Sequence, residues 1–395
     1  MQLHRLGVLA VVALLPSCAR RAQATENRAP GVFESEIVIG MTAAMSGNAA
    51  VLGTETYRGA RAWIEDVNAK GGVSGRQIKL VVRDDAYDPP RTVANVQSLL
   101  VDDGVFALFG FVGTPTSVKA VPLLERARVP GVGFFTGAEV LRNPQREWAF
   151  HVRDSYYAEA EAATAYFVDR LHLSRIAVLY QEDPFGQAVL SGIQLALQRR
   201  SQSPAATASF SRGSTALEGA RDKLMASKPE VVAMVGTYGP LARFVKIAGG
   251  GGHTWFQTVS FVGSEAFADE LIRTQHVTPE TYDHVLVTQV VPSPVSDEYS
   301  GLSEFRSLLA KSFPNDRPNY VALEGFVDAR VLTGALERAG RTLDRDSFAR
   351  ALEGMKNLDV GIGRNVSYAP NNHVALAGVY LSRLGTDGIF RTFTP

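Results

Sequence analysis

The 395 residues carry 40 basic and 40 acidic side chains, so no global field is available to hold nucleic acid or an anionic membrane. Hydrophobic residues make up 46% and charged residues 20%, the profile of a soluble globular chain, and the length exceeds what one core organises, so two domains are expected. Cys18 is the single cysteine, which excludes disulfides, thiolate metal clusters and a cysteine nucleophile from the folded body.

His4 and Arg5 precede an apolar run, Leu6 to Leu15, that is too short to span a bilayer and of the right length for the core of a secretory signal. Leu15-Pro16-Ser17-Cys18 then resembles a bacterial lipobox, with residues 1–17 as signal peptide and Cys18 as the lipidated mature N-terminus. Ala22-Gln23-Ala24 offers ordinary signal peptidase a competing site. Residues 18–35, small and polar around Pro30-Gly31, are expected to form a flexible tether.

Strands and helices then alternate. Ile37 to Ile39 reads as a strand, followed by a helix with Tyr57, Ala60, Ile64 and Val67 at helical spacing and a stop at Gly71-Gly72. Ile78 to Val82 is the next strand, Asp88-Pro89 an N-cap with proline at the first helical position, and Phe106 to Phe109 and Val129 to Phe135 further strands. A second train starts after Arg153: helix Glu159 to Leu171, strand Ile176 to Tyr180, a helix opened by Asp183-Pro184, and strands Val231 to Val235, Val259 to Val262 and Val285 to Val291. Gly249 to Gly252 reads as a surface turn, and helical patterns cover Tyr299 to Phe313, Tyr320 to Ala339 and Arg345 to Met355. Strands apolar on both faces belong to parallel sheets covered by helices, so the fold class is α/β with two doubly wound lobes.

Ligands of such sheets bind beyond the carboxyl ends of the strands, where helix N-termini present unpaired N–H groups. After the third strand comes Gly113-Thr114-Pro115, with Thr114 placed as N-cap; after the fourth comes Thr136-Gly137-Ala138-Glu139, a capping-box pattern. Each hydroxyl could simply satisfy a helix end, or the two together could hold a carboxylate or another polar group. Phe134, Phe135, Tyr156, Tyr157, Phe185, Tyr238 and Phe261 fall near strand ends or crossings and are candidates for an apolar wall, or for core.

Several segments resemble the leucine/isoleucine/valine-binding type of periplasmic receptor: Asn68 to Arg76 at the end of the first helix, Asp84-Asp85 with Asp88-Pro89, Val129-Pro130, and Asp183 to Gly186. The resemblance covers roughly residues 36–395 and implies a type I fold whose two lobes are joined by three crossings and close about a hinge. The lobes are then expected at 36–152 with 291–364, and at 153–290 with 365–395. Leu52, Thr114, Thr136 and Phe185 fall where this family contacts ligand, and Gly113, Gly137, Tyr157, Tyr238 and Phe261 complete the expected site. The implied partners are a small-molecule ligand and the permease subunits of an ABC uptake system, with the chain a monomer that meets a membrane only through its anchor. Where amino-acid receptors commonly place an acid for the ligand ammonium, this chain has Gly236-Thr237-Tyr238-Gly239. An unpaired buried ammonium is costly, so a carboxylate, aromatic or largely apolar solute is expected instead.

No metal-ligand spacing, nucleophile elbow or phosphate loop occurs in the sequence, and no cofactor or metal is called for. Asp84 and Asp85, adjacent on an extended segment, point to opposite faces and read as loop or capping groups. Two other classes stay open: a ligand-sensing receptor domain of the same fold, and an α/β hydrolase-like enzyme, against which the missing nucleophile and base weigh.

Overall fold

The structure is a computed structural model that describes residues 29–249 and 253–394; the expected signal peptide, Cys18 and Gly250 to Gly252 lie outside them. Two sheets form. The first is β2-β1-β3-β4-β5, built from β1 (Glu36–Ala43), β2 (Gln77–Asp84), β3 (Ala107–Val112), β4 (Gly131–Phe135) and β5 (Ala149–Phe150), all parallel. Between its strands run α1 (Ala50–Ala69), α2 (Pro89–Val101) and α3 (Thr114–Ala127).

The second sheet repeats that winding as β7-β6-β8-β9-β10. Its helices and strands follow in the order α4 (Tyr156–Thr164), β6 (Ile176–Gln181), α5 (Pro184–Gln198), β7 (Ala206–Phe210), α6 (Glu218–Met225), β8 (Val231–Val235), α7 (Tyr238–Ala248), β9 (Trp255–Thr258), α8 (Ser264–Asp269), α9 (Pro279–Tyr282) and β10 (Val285–Gln289). The chain then returns to the first lobe with α10 (Ser300–Ser312), α11 (Tyr320–Ala339) and α12 (Arg345–Glu353), followed by the short ribbon β11 (Leu358–Asp359) and β12 (Asn365–Val366). Finally β13 (Tyr380–Leu384) and β14 (Phe390–Phe393) extend the second sheet antiparallel from β10. The chain thus passes between lobes three times, at 151–155, 290–299 and 367–379.

In each lobe the strand order reverses beside the first strand, at β1/β3 and at β6/β8, which creates the crevice where open sheets bind ligands. The strands β3, β4, β8 and β10 are buried along their whole length, as sheets covered on both faces require.

Two expectations need correcting. Residues 29–35 are not tether: Val32 is buried, Val38 N donates to Gly31 O at 2.8 Å, and Gly31 (φ +74°) lies so close to Phe106 N that a Cβ would approach it to 2.2 Å. The turn at Pro30-Gly31 therefore docks the segment on the first lobe. Val259 to Val262 is not a strand; β9 ends at Thr258 and Ser260–Val262 forms a single 3-10 turn. The remaining boundary differences are shifts of a few residues, with β3 and β4 running to Val112 and from Gly131.

Candidate binding cleft

Gly113 closes the turn between β3 and α3 with φ +98°, a value that favours glycine, and the Tyr87 ring lies against it. It is Gly113, not Thr114, that occupies the N-cap position, and Thr114 is the first helical residue. The capping box expected at Thr136-Glu139 is not formed either: Glu139–Leu141 is one 3-10 turn whose cap is Ala138, without a side-chain bond. Released from capping, the two hydroxyls meet. Thr114 Oγ1 and Thr136 Oγ1 are 2.6 Å apart and fully buried, and Thr136 Oγ1 also accepts from Ala138 N at 3.3 Å. Only one of the two hydroxyl hydrogens is used in that contact, which leaves the other for an acceptor beside the first turn of α3, where N–H groups lack intrahelical partners.

Facing these hydroxyls is a buried aromatic cluster drawn from both lobes. The Phe261 ring centroid lies 4.5 Å from Phe185, 5.6 Å from Phe135 and 6.0 Å from Tyr87, and Tyr156 lies 5.4 Å from Phe185. Asp85 positions Tyr87: its Oδ1 accepts from Tyr87 N at 3.0 Å and fixes the residue at φ +61°, while Oδ2 accepts from Thr42 and Thr92. Burial pushes Asp85 up to about 6. Its neighbour Asp84 points the other way and accepts from Met45 N, Ser46 N and Ala86 N, as adjacent residues of an extended segment must. Phe185 is delivered by the cap of α5, where Asp183 Oδ1 accepts from Phe185 N and Gly186 N.

The other expected residues fall around this cluster unevenly. Leu52 is buried across the cleft against Gly263, where an added Cβ would come within 2.6 Å of Leu52 Cδ2. Gly137 gives its carbonyl to Tyr156 N at 2.8 Å, and a Cβ there would come within 2.5 Å of that nitrogen. Tyr157 packs on Gly192 of α5, so the ring in the cluster is that of Tyr156, one residue earlier and on another face of α4. Tyr238 opens α7 half-buried, lining an adjacent interlobe crevice of about 410 Å³ with Val51, Glu55 and Arg317. Phe134 is turned into the first lobe, stacked on Phe111 at 4.9 Å, because alternate residues of β4 face opposite ways. Among the described residues no group of His, Cys, Asp and Glu could hold a metal ion.

Sequence reasoning missed the charged centre behind the cluster. Arg153, in the first crossing, is 5.0 Å from the Phe135 ring centroid and 5.7 Å from that of Tyr156. Its Nη2 pairs with Glu159 Oε1 at 3.0 Å and with Ser260 Oγ, and its Nη1 lies 3.4 Å from Glu324 Oε1. Burial alone would lower the Arg153 pKa, but Glu324 and Glu159 outweigh it and hold the pKa above its ordinary value. Glu159 further accepts from Ser260 N at 2.8 Å and from Thr288 Oγ1 at 2.6 Å. Three carboxylates near the aromatic cluster, Asp85, Glu159 and Asp183, are thus already hydrogen-bonded. Unpaired polar atoms remain instead, among them Gln181 Oε1 and Thr237 Oγ1, while the Tyr156 hydroxyl lies beside Thr136 and that of Tyr87 beside Gln181. Burial pushes the Tyr156 hydroxyl up to about 12, against the pull of Arg153 and Thr136, so it stays a neutral donor.

Known proteins share this architecture. Residues 36–388 match the family described as periplasmic binding protein. The chain belongs to that family. An amino acid binding protein of Pseudomonas aeruginosa is 25% identical over 82% of this chain and 83% of its own. Among solved structures, a "possible leucine/isoleucine/valine-binding protein" from Rhodopirellula baltica superposes with a TM-score of 0.85 at 30% identity, covering 91% of this chain and 96% of that one. A substrate-binding periplasmic protein from Ralstonia solanacearum gives 0.83 at 28% identity, covering 91% and 100%. This periplasmic binding protein is a solute-binding protein of the leucine/isoleucine/valine type and not an enzyme, and its family implies periplasmic residence. No helix among its described residues is long and apolar enough to cross a membrane.

Proposed function

We propose that this chain is the solute receptor of an ABC uptake system, and that it holds a small carboxylate, aromatic or largely apolar solute between its lobes. One observation carries the reading. The paired hydroxyls of Thr114 and Thr136 offer a donor next to the first turn of α3, while the carboxylates beside the cluster, Glu159 and Asp183, are engaged. A solute carboxylate would find donors in the first lobe. An α-ammonium placed at the cluster would have to displace one of the bonds that Glu159 and Asp183 already make. Phe135, Phe185 and Phe261 supply the apolar wall, and closure is favoured only so far as the solute binds both lobes at once. The lobes are taken to divide at the three crossings, and Cys18 to be the lipid anchor.

A thermal-shift screen of branched-chain amino acids, aromatic acids, short aliphatic acids and lipophilic solutes tests this, because a ligand that binds only the folded state raises the melting temperature by mass action. An aromatic or aliphatic acid is expected to give the largest shift and leucine little. A large shift with leucine and none with the acids would overturn the assignment.

A further inference from the structure

The lobes touch once more at the end of the cleft farthest from the crossings. In the first lobe the first crossing leaves from β5, at the edge of the sheet opposite β2. In the second lobe the other two crossings join at β10 and β13, and β7 is the far edge. The segments that follow these two edge strands, residues 85–88 after β2 and residues 211–217 between β7 and α6, meet across the cleft. Arg212 places its guanidinium 5.5 Å from the centroid of the Tyr87 ring. Next to it, Gly213 (φ +75°) lies against Asn48, in the 3-10 turn Gly47–Ala49 that leads into α1. A Cβ on Gly213 would collide with the Asn48 amide nitrogen and stand 3.4 Å from Asn48 Cγ.

Tyr87 is fixed in the first lobe and presented to the second. Its φ of +61° is rare for an aromatic residue, and the bond from Tyr87 N to Asp85 Oδ1, at 3.0 Å, holds it there. Gly113 backs the ring, since any side chain at that position would overlap it. On the second lobe the ring meets Phe261 at 6.0 Å, and its hydroxyl lies beside Gln181. One ring thus belongs both to the wall of the cleft and to the contact with Arg212. Among the described residues Arg212 makes no ion pair and no hydrogen bond, so the Tyr87 ring is the group that engages its guanidinium. Arg212 and Asn48 are exposed, whereas Tyr87 is buried.

We propose that Arg212 with Tyr87, and Gly213 with Asn48 beside them, form a latch at the tips of the lobes that sets how slowly the closed receptor releases its solute. Opening turns the lobes about the crossings, so a given rotation separates these tips more than any contact nearer the hinge. The latch is therefore broken early in opening and made late in closing, which places its effect on release and not on capture. Arg212 is a positioning residue: it acts on the solute through the Tyr87 ring. The inference rests on the reading that the lobes close about a solute, and it does not depend on which solute that is.

Stopped-flow binding to the wild type and to Arg212→Ala tests this, with the compound of the thermal-shift panel that stabilises the protein most, leucine included, as the probe. Arg212→Ala is expected to raise the dissociation rate about two- to fivefold, the change that corresponds to losing an exposed cation–π contact, and to leave the association rate unchanged. Arg212→Lys keeps the cation and should fall nearer the wild type. A second measurement needs no solute. In the full chain carrying Cys18→Ser, the pair Asn48→Cys/Gly213→Cys should form an intramolecular disulfide under mild oxidation, because the two positions lie within reach of one another. Adding Arg212→Ala should slow that cross-linking by a similar factor. An unchanged dissociation rate in Arg212→Ala, or a change confined to the association rate, would overturn the latch. So would a cysteine pair that does not cross-link, or that cross-links at the same rate without Arg212. If no compound of the panel binds, the solute assignment fails while the cross-linking still decides the latch.

Discussion

Asp328 and Glu324 lie on α11, and both are buried. Burial raises Glu324 to about 7 against the attraction of Arg153, and raises Asp328 well above the ordinary carboxylate range, with Glu324 adding to the effect. A carboxyl group whose pKa is raised on folding binds more protons in the folded state than in the unfolded one, so stability is full at acid pH and falls as pH rises. For Glu324 the fall begins above its ordinary value of 4.5 and levels off past about 7; for Asp328 it continues further. Asp328→Asn keeps the shape of the neutral form and removes the titration. Its melting temperature should therefore drop less than the wild type's between about pH 6 and pH 9 in scanning calorimetry. Parallel curves for the two proteins would show that Asp328 is ionised in the folded state at neutral pH.

At the scale of elements, the helix from Tyr320 to Ala339 was readable to the residue, because an asparagine cap at Asn319 and a glycine stop at Gly340 bracket its apolar pattern. The strands apolar on both faces were equally plain. Val259 to Val262 misled because a four-residue apolar run fits a strand or a buried turn alike, and the structure uses it to turn Phe261 back into the cleft. The site divides the same way. Among the candidate residues, Thr114, Thr136 and Phe185 carry a local signal, since each follows a strand end. Tyr87 follows β2 by the same rule but was absorbed into the reading of Asp84-Asp85 as a loop. Arg153, Glu159 and Glu324 had no local signal, since each acquires its meaning only from partners brought up by distant elements. The α1–α11 contact was also hidden, although it organises the first lobe. A Cβ on Gly59 would come within 1.7 Å of Ala322 O, and one on Gly325 within 2.2 Å of Thr56 O, so the two backbones touch through glycines. Gly59→Ala must push α11 outward and is expected to cost about 1–3 kcal/mol, the usual cost of overpacking, read as a lower denaturation midpoint in urea. An unchanged midpoint would mean that α1 and α11 separate freely.

Over the whole molecule, the lobes meet across the cleft through Leu52 with Gly263, Tyr87 with Phe261, and the Arg212 guanidinium 5.5 Å from the Tyr87 ring. Behind these contacts, Arg153 in the first crossing binds Glu159 of the second lobe and lies close to Glu324 of the first. One guanidinium thus touches both bodies and two rings of the candidate site. A solute held by Thr114 and Thr136 on one side and by Phe185 and Phe261 on the other would add to the same set of interlobe contacts, which is how a two-lobed receptor converts binding into closure. The most direct test titrates the acid that gives the largest thermal shift into the wild type and into Thr114→Ala/Thr136→Ala. A hydrogen bond to a charged group is worth about 1.5–3 kcal/mol and the pair has one hydroxyl hydrogen to give, so the double variant should bind at least about tenfold more weakly with its fold intact. Equal affinity in the two proteins would contradict the account, because the solute would then not be held by these hydroxyls.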